Sequence, residues 1–288
     1  MNNAQHTVTV NNIDLHFIDH QGEGPVLLLL HGLTANAHAF DGLVDAGLST
    51  HYRMICPDLR GNGLSSKPAT GYTVEDHVQD ILGLIDHLGE KKVHLGGHSF
   101  GGYLGFYMAA NYPSVIDKLV ILDAAKSMNP LAPQMLSKAL ARLDVTYPGF
   151  DEYIEHVKKL PYLTFWDPAM LSYYRADVED LPQGGVKPRS NLKTITEKSM
   201  ALAATKWTDI IQKIGVPSIL INALDNYTMD QPLLPDAIAK ETVKMMKNAK
   251  YAPVEGNHQT MLYGSGAVQI AEQVKAFLGN DDAGSRTQ

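Results

Sequence analysis

Gly96-Gly97-His98-Ser99-Phe100-Gly101-Gly102 is the stretch on which the reading of this chain turns. The residues before it, Lys92-Val93-His94-Leu95, suit a short buried strand, and residues 103–111 after it suit a helix. Gly97, Ser99 and Gly101 make the pattern Gly-x-Ser-x-Gly, which places a serine on a sharp turn between strand and helix. Such a turn strains the serine backbone, and glycines two before and two after remove Cβ atoms that would collide there. The hydroxyl is thereby held up and exposed. Serine alone is a weak nucleophile at neutral pH, so the geometry has a chemical use only if other segments supply a base and an oxyanion site.

Toward the N-terminus, residues 26–30 are continuously apolar, as expected of a central strand covered on both faces. They run into His31-Gly32-Leu33-Thr34-Ala35-Asn36, where glycine and small residues let backbone approach a ligand, and a helical pattern over 39–48 follows. Residues 7–10 and 13–18 alternate in character about Asn11-Asn12, which predicts an antiparallel edge hairpin. A strand over 52–56 leads into the glycine-punctuated turn 57–65, read as structural. Thr73 can cap a helix in which Val74, Val78, Ile81, Ile85 and Leu88 recur at helical spacing up to Gly89. Beyond the central stretch, residues 118–122 read as another buried strand, ending at Asp123. This βαβ alternation predicts a mostly parallel sheet flanked by helices.

From 124 to 205 the alternation stops, and the segment holds seven of the fifteen prolines. Leu136, Leu140 and Leu143 suit one short helix, and Tyr153, Ile154 and Val157 another. The expectation is a core of residues 1–123 and 206–279, interrupted by a helical lid over 124–205 at the carboxyl edge of the sheet. The core pattern resumes with a helix through Trp207 and Ile211, a strand over 218–221, a helix over 238–246 and a short strand over 252–254. Glu255-Gly256-Asn257-His258 follows, and a last helix contains Ile270, Val274 and Phe277. Residues 280–288 read as a polar, flexible tail.

Composition narrows the function classes. A formal net charge of −7, with no basic stripe, argues against nucleic acid as a partner. No apolar run approaches the roughly 18 residues of a membrane span, and residues 1–6 show no secretion signal, so a cytoplasmic location is expected. Cys56 is the only cysteine and lies in an apolar run, where it reads as core filler. His94 and His98 are separated by a strand and a turn, so they do not share a helix face as metal ligands would.

The serine turn, the His31-Gly32 loop after an earlier central strand and His258 after the last short strand together resemble the α/β-hydrolase fold, over residues 26–277. The resemblance implies an α/β fold with a lid, no cofactor and no metal. The family's chain order of serine, acid, histidine leaves only His156 and His258 downstream of Ser99 among twelve histidines. His156 stands in a charged helical stretch, whereas His258 occupies the place of the family's base. Two aspartates compete for the acid. Asp225 lies near the position many relatives use, but in ungapped register that position falls on Asn226. Asp123 resembles the acid of small esterases and amide hydrolases that take it from the strand after the nucleophile, and is preferred, with Asp225 the alternative. The resemblance also assigns the oxyanion donors to the backbone N–H groups of Leu33 and Phe100.

These readings lead to a serine hydrolase acting on a small or medium carboxylic ester, a small-molecule substrate, through an acyl-enzyme. Thioesters, lactones, amides and some carbon–carbon bonds are open to the same machinery, and a ligand receptor that keeps the fold but barely turns over is the alternative from another class. Halide and epoxide chemistry in this family uses an aspartate nucleophile, and position 99 is serine. Phe165 and Trp166 in the proposed lid are candidates for lining an acyl pocket, against the plainer reading that they form the lid's own small core.

Overall fold

The computed structural model describes residues 4–279. Eight strands make one sheet: β1 (Ala4–Val10), β2 (Ile13–Asp19), β3 (Val26–Leu30), β4 (Arg53–Pro57), β5 (Val93–His98), β6 (Ile116–Leu122), and, after a two-stranded ribbon of β7 (Val178–Asp180) and β8 (Val186–Pro188), β9 (Ser218–Ala223) and β10 (Ala249–Val254). Their spatial order is β1-β2-β4-β3-β5-β6-β9-β10. β2 runs antiparallel to both its neighbours, and every pair from β4 to β10 is parallel. The β1–β2 hairpin turns on Asn11 and Asn12, with φ of 46° and 61°. Two successive positive φ angles match the right-handed twist of a hairpin, and Asn tolerates them.

The apolar run of β3 explains its central place. Leu27 and Leu29 pack on one face of the sheet with Phe40, Leu43 and Val274, while Leu28 and Leu30 pack on the other with Val78, Ile81 and Phe106. The alternation of side chains along a strand thus serves two cores. Each leucine is at most 1 % exposed, and burying one contributes about 1.5–3 kcal/mol. The helix Val74–His87 starts at Thr73, whose hydroxyl accepts the Asp76 N–H while the Asp76 carboxylate accepts the Thr73 N–H, a reciprocal cap.

Most element ends shift by one to three residues from expectation, and two differences change an element's character. β5 runs through Gly96 and Gly97 to His98 rather than stopping at Leu95, because both glycines keep register with Leu29 and Leu30 on one side and Val120 and Ile121 on the other. The helix expected over 39–48 is instead a helix Asp41–Asp45 between two 3₁₀ turns, broken where Gly47 takes a left-handed φ of 81°.

Between β6 and the helix Trp207–Ile211 lie the helices Ala132–Ala141, Phe150–Val157, Met170–Asp177 and Leu192–Ala204, with the β7–β8 ribbon. The first three are tied by a buried cluster: the Arg142 guanidinium and the Tyr153 hydroxyl both donate to Asp177. Removing one partner of such a buried pair leaves an uncompensated charge, at a cost of about 3–5 kcal/mol. The tail expected over 280–288 lies outside the described residues.

Candidate active site

Ser99 stands between β5 and the helix Phe100–Asn111, with φ 53° and ψ −113°. A non-glycine residue held there stores about 1–3 kcal/mol of strain. Backbone crowding enforces the turn. A Cβ on Gly97 would stand 2.2 Å from the Gly101 carbonyl oxygen, and one on Gly101 would stand 2.0 Å from that of Leu30, so neither position admits a side chain. The Ser99 N–H donates to the Leu122 carbonyl at 3.0 Å, which ties the turn to β6.

His258 follows β10 in a loop held by the fully buried Asn257. That amide donates to the carbonyls of Tyr162 and Asn226 at 2.9 and 3.3 Å, and its oxygen accepts the N–H groups of Gln259 and Thr260. His98 gives a second anchor, its Nε2 lying 2.8 Å from the His258 carbonyl oxygen. Burial, then the nearby His258, pushes the His98 pKa well below the usual histidine range, so the ring is neutral with Nε2–H as the donor. His258 in turn places Nε2 3.0 Å from Ser99 Oγ and Nδ1 2.6 Å from Asp123 Oδ2. The other Asp123 oxygen accepts the Ala223 N–H at 2.9 Å, so both oxygens face N–H donors. Asp123 is itself held at φ 51°, and its N–H donates to Ile221. With Nδ1–H turned to a carboxylate, Nε2 is the free acceptor facing the serine hydroxyl.

Asp225 is placed elsewhere. It is exposed, accepts the Gly256 N–H at 3.1 Å and donates its own N–H to the Gly256 carbonyl, closing the loops after β9 and β10 against each other. His156 is exposed on the helix Phe150–Val157, beside Tyr147.

The 31–36 loop comes against the serine turn through the Gly101 N–H, which donates to the His31 carbonyl at 3.1 Å. Burial brings the His31 pKa down to about 4, and the neutral ring fits its two bonds: Nδ1 meets the Gly32 carbonyl and Nε2 accepts the Leu59 N–H. Among the described residues, the N–H groups of Leu33 and Phe100 have no acceptor outside their own elements. Phe100 opens its helix, where the first N–H groups lack intrahelical partners. The arrangement offers a serine hydroxyl, an acceptor for its proton and two N–H donors beside it.

These groups floor a cavity of about 840 Å³, reached by Leu33, Ser99, Phe100 and His258 from the sheet side and by Leu136, Arg142, Tyr162, Tyr173, Ile195 and Met200 from the 124–205 segment. Phe165 and Trp166 do not line it, which corrects the expectation from sequence. Phe165 is 41 % exposed and abuts Gly264. Trp166 stacks on Tyr174 with centroids 5.7 Å apart and takes the Lys158 ammonium over its ring. The direction of each ring depends on tertiary packing, which the order of residues does not specify.

Sequence reasoning also missed the residues that brace the site. Asn62, in the turn read as structural, is fully buried and donates to the carbonyls of Leu33 and Ala35 at 3.1 and 2.9 Å. Asp58 in the same turn accepts from His16, Ala37 and Leu64. Gly61-Asn62-Gly63 carries no local sign of this role, since every partner of the Asn62 side chain is distant in sequence.

Residues 25–262 match the family described as alpha/beta hydrolase fold. The chain is 34% identical over 151 residues to a 2-(acetamidomethylene)succinate hydrolase from Mesorhizobium japonicum, the match covering 52% of this chain and 51% of that one. It thus spans about half the length of that relative. It is 25% identical over 229 residues to a putative carbamate hydrolase RutD from Pantoea ananatis, covering 79% and 76%. Among solved structures, E-2-(acetamidomethylene)succinate hydrolase superposes with a TM-score of 0.82 at 22% identity, covering 96% of this chain and 100% of that one, a likeness of fold. No helix among the described residues is long and apolar enough to cross a membrane. With 238 consecutive residues matched to the family model, and the same architecture in the structure, this chain belongs to the α/β-hydrolase fold family.

Proposed function

We propose that the protein is a serine hydrolase that cleaves a small or medium carboxylic ester through an acyl-enzyme. The observation that carries this reading is the hydrogen-bonded chain from Ser99 Oγ through His258 to Asp123, at 3.0 and 2.6 Å, on the floor of the cavity. Ser99 Oγ attacks the ester carbonyl as His258 Nε2 takes its proton, and Asp123 orients the imidazole and stabilises the imidazolium. The carbonyl oxygen becomes an oxyanion facing the N–H groups of Leu33 and Phe100. One such donor is worth about 2.7–4 kcal/mol in the transition state. The C–O bond then breaks, His258 returns the proton to the leaving alkoxide, and water repeats the sequence to release the acid and restore Ser99. The 124–205 segment acts as the lid that closes this cavity and sets acyl-chain preference.

The test is a panel of p-nitrophenyl acetate and butyrate, thioesters, lactones, amides and carbamates, followed through burst and steady state. Amides and carbamates belong in it because relatives of this chain carry those names. Sustained turnover of esters above the other classes supports the reading; a single burst without turnover favours a receptor, and preference for another acyl bond moves the substrate class.

The cavity wall makes a second test. Leu136→Ala is expected to shift the ratio of kcat/KM for long over short acyl chains by about tenfold, the scale of one or two methylenes in an apolar pocket. Trp166→Ala, outside the wall, is expected to leave that ratio within about twofold of the wild-type value. The reverse pattern across a C2 to C8 ester series would remove Leu136 from the acyl site.

A further inference from the structure

Lys198 is a buried lysine for which the mechanism above has no use. It sits on the helix Leu192–Ala204, fully buried, with Nζ donating to the side-chain oxygen of Asn62. Nζ also lies 6.0 Å from the centroid of the Phe100 ring and 5.7 Å from that of Tyr72. Among the described residues no carboxylate pairs with it. Asp80 is engaged by Arg60, and Asp58 by His16. Of the other charged or titratable groups near it, Arg60, Lys67, His31, His77 and Tyr72 bring no negative charge, and Glu197, the residue before it on the helix, pairs with Lys193. Burial, with the like charges of Lys67 and Arg60, pulls Lys198 down to about 7. For packing alone, a methionine would fill this place without desolvating an amine.

What Lys198 touches sets its role apart. Asn62 takes the lysine on its oxygen and gives its amide hydrogens to the carbonyls of Leu33 and Ala35, with Ser190 Oγ at 3.1 Å as a further acceptor. A single ammonium therefore reaches both halves of the proposed oxyanion site: the 33–35 loop through Asn62, and the start of the Phe100–Asn111 helix through the Phe100 ring. Ile195 and Ser199 of the same lysine-bearing helix line the cavity.

We infer that Lys198 is a positioning residue for the oxyanion site, holding the N–H groups of Leu33 and Phe100 in register through Asn62 and the Phe100 ring. The inference rests on the hydrolase reading, because it needs an oxyanion to form between those donors. Lys198 touches no reacting atom. Its effect therefore belongs to the transition state and not to substrate affinity.

The experiment compares wild type, Lys198→Met and Lys198→Gln on the best ester of the panel. It adds two inhibitors with the same acyl chain, a trifluoromethyl ketone that forms a hemiketal oxyanion on Ser99 and the corresponding alcohol that forms none. Lys198→Met is expected to lower kcat by about 10- to 100-fold with KM within about threefold, and to weaken the ketone by a similar factor but not the alcohol. Lys198→Gln, which keeps a donor toward Asn62, is expected to recover most of both losses. Wild-type kcat and ketone affinity in Lys198→Met overturn the inference, and so does equal weakening of ketone and alcohol, which means a distorted cavity. Failure of both variants to fold marks Lys198 as a folding element and overturns it too. Absence of fluorophosphonate labelling at Ser99 in the wild type would instead overturn the hydrolase reading.

Discussion

Ser99→Ala is expected to abolish fluorophosphonate labelling and to lower kcat by about 10⁴- to 10⁶-fold, since the acyl-enzyme loses its only attachment point. No other hydroxyl stands 3.0 Å from His258 Nε2 among the described residues. Cys56 cannot substitute. It is fully buried, and burial pushes its thiol well above the usual range, away from the reactive thiolate. Mass spectrometry of the labelled wild type is the check, and an adduct on any residue but Ser99 would refute the mechanism. Ser99→Gly adds a control on strain. It is expected to be as inactive as the alanine variant yet to melt at a higher temperature, because glycine accepts φ 53° without the Cβ penalty. Equal melting temperatures for the two variants would mean that the turn stores no strain.

Asp123→Asn is expected to cost about 10⁴-fold in kcat while KM changes little, because an amide favours the wrong imidazole tautomer and cannot stabilise the imidazolium. The Asp123 oxygen lies 2.6 Å from His258 Nδ1 and its partner oxygen holds Ala223, so the near-isosteric amide keeps the packing but turns a donor toward one of two N–H groups. Asp225→Asn is expected to stay within about threefold of wild type, as for an exposed surface substitution. Steady-state kinetics on both variants decide the matter. A severe loss in Asp225→Asn beside near-normal turnover in Asp123→Asn would move the acid to Asp225 and leave the hydrolase class in place.

The order of elements was legible because local physics writes it plainly. A five-residue apolar run such as 26–30 must be covered on both faces, Asn11-Asn12 must turn, and glycines flanking Ser99 at two-residue spacing have few uses other than a crowded strand-to-helix turn. The family followed from those features together. Element ends were less legible: β5 kept Gly96 and Gly97 because neighbouring strands on both sides held their register, a condition no local window contains.

The sequence by itself determined the sheet-forming pattern, the serine on its turn and a short list of partners for it, since each rests on residues adjacent in the chain or on helical and strand periods. The tertiary structure decided which carboxylate meets His258. Asp123 and Asp225 both follow buried strands, and only the packing of β6 beside β9 turns one of them toward a ring 135 residues away. It also decided that Phe165 and Trp166, in the loop before the helix Met170–Asp177, face away from the cavity, because a ring's direction depends on what packs against it and not on its spacing. Asn62 and Lys198, 136 residues apart, could be joined only in three dimensions. A buried polar group takes whichever partner the fold brings within about 3 Å, and local sequence does not name that partner.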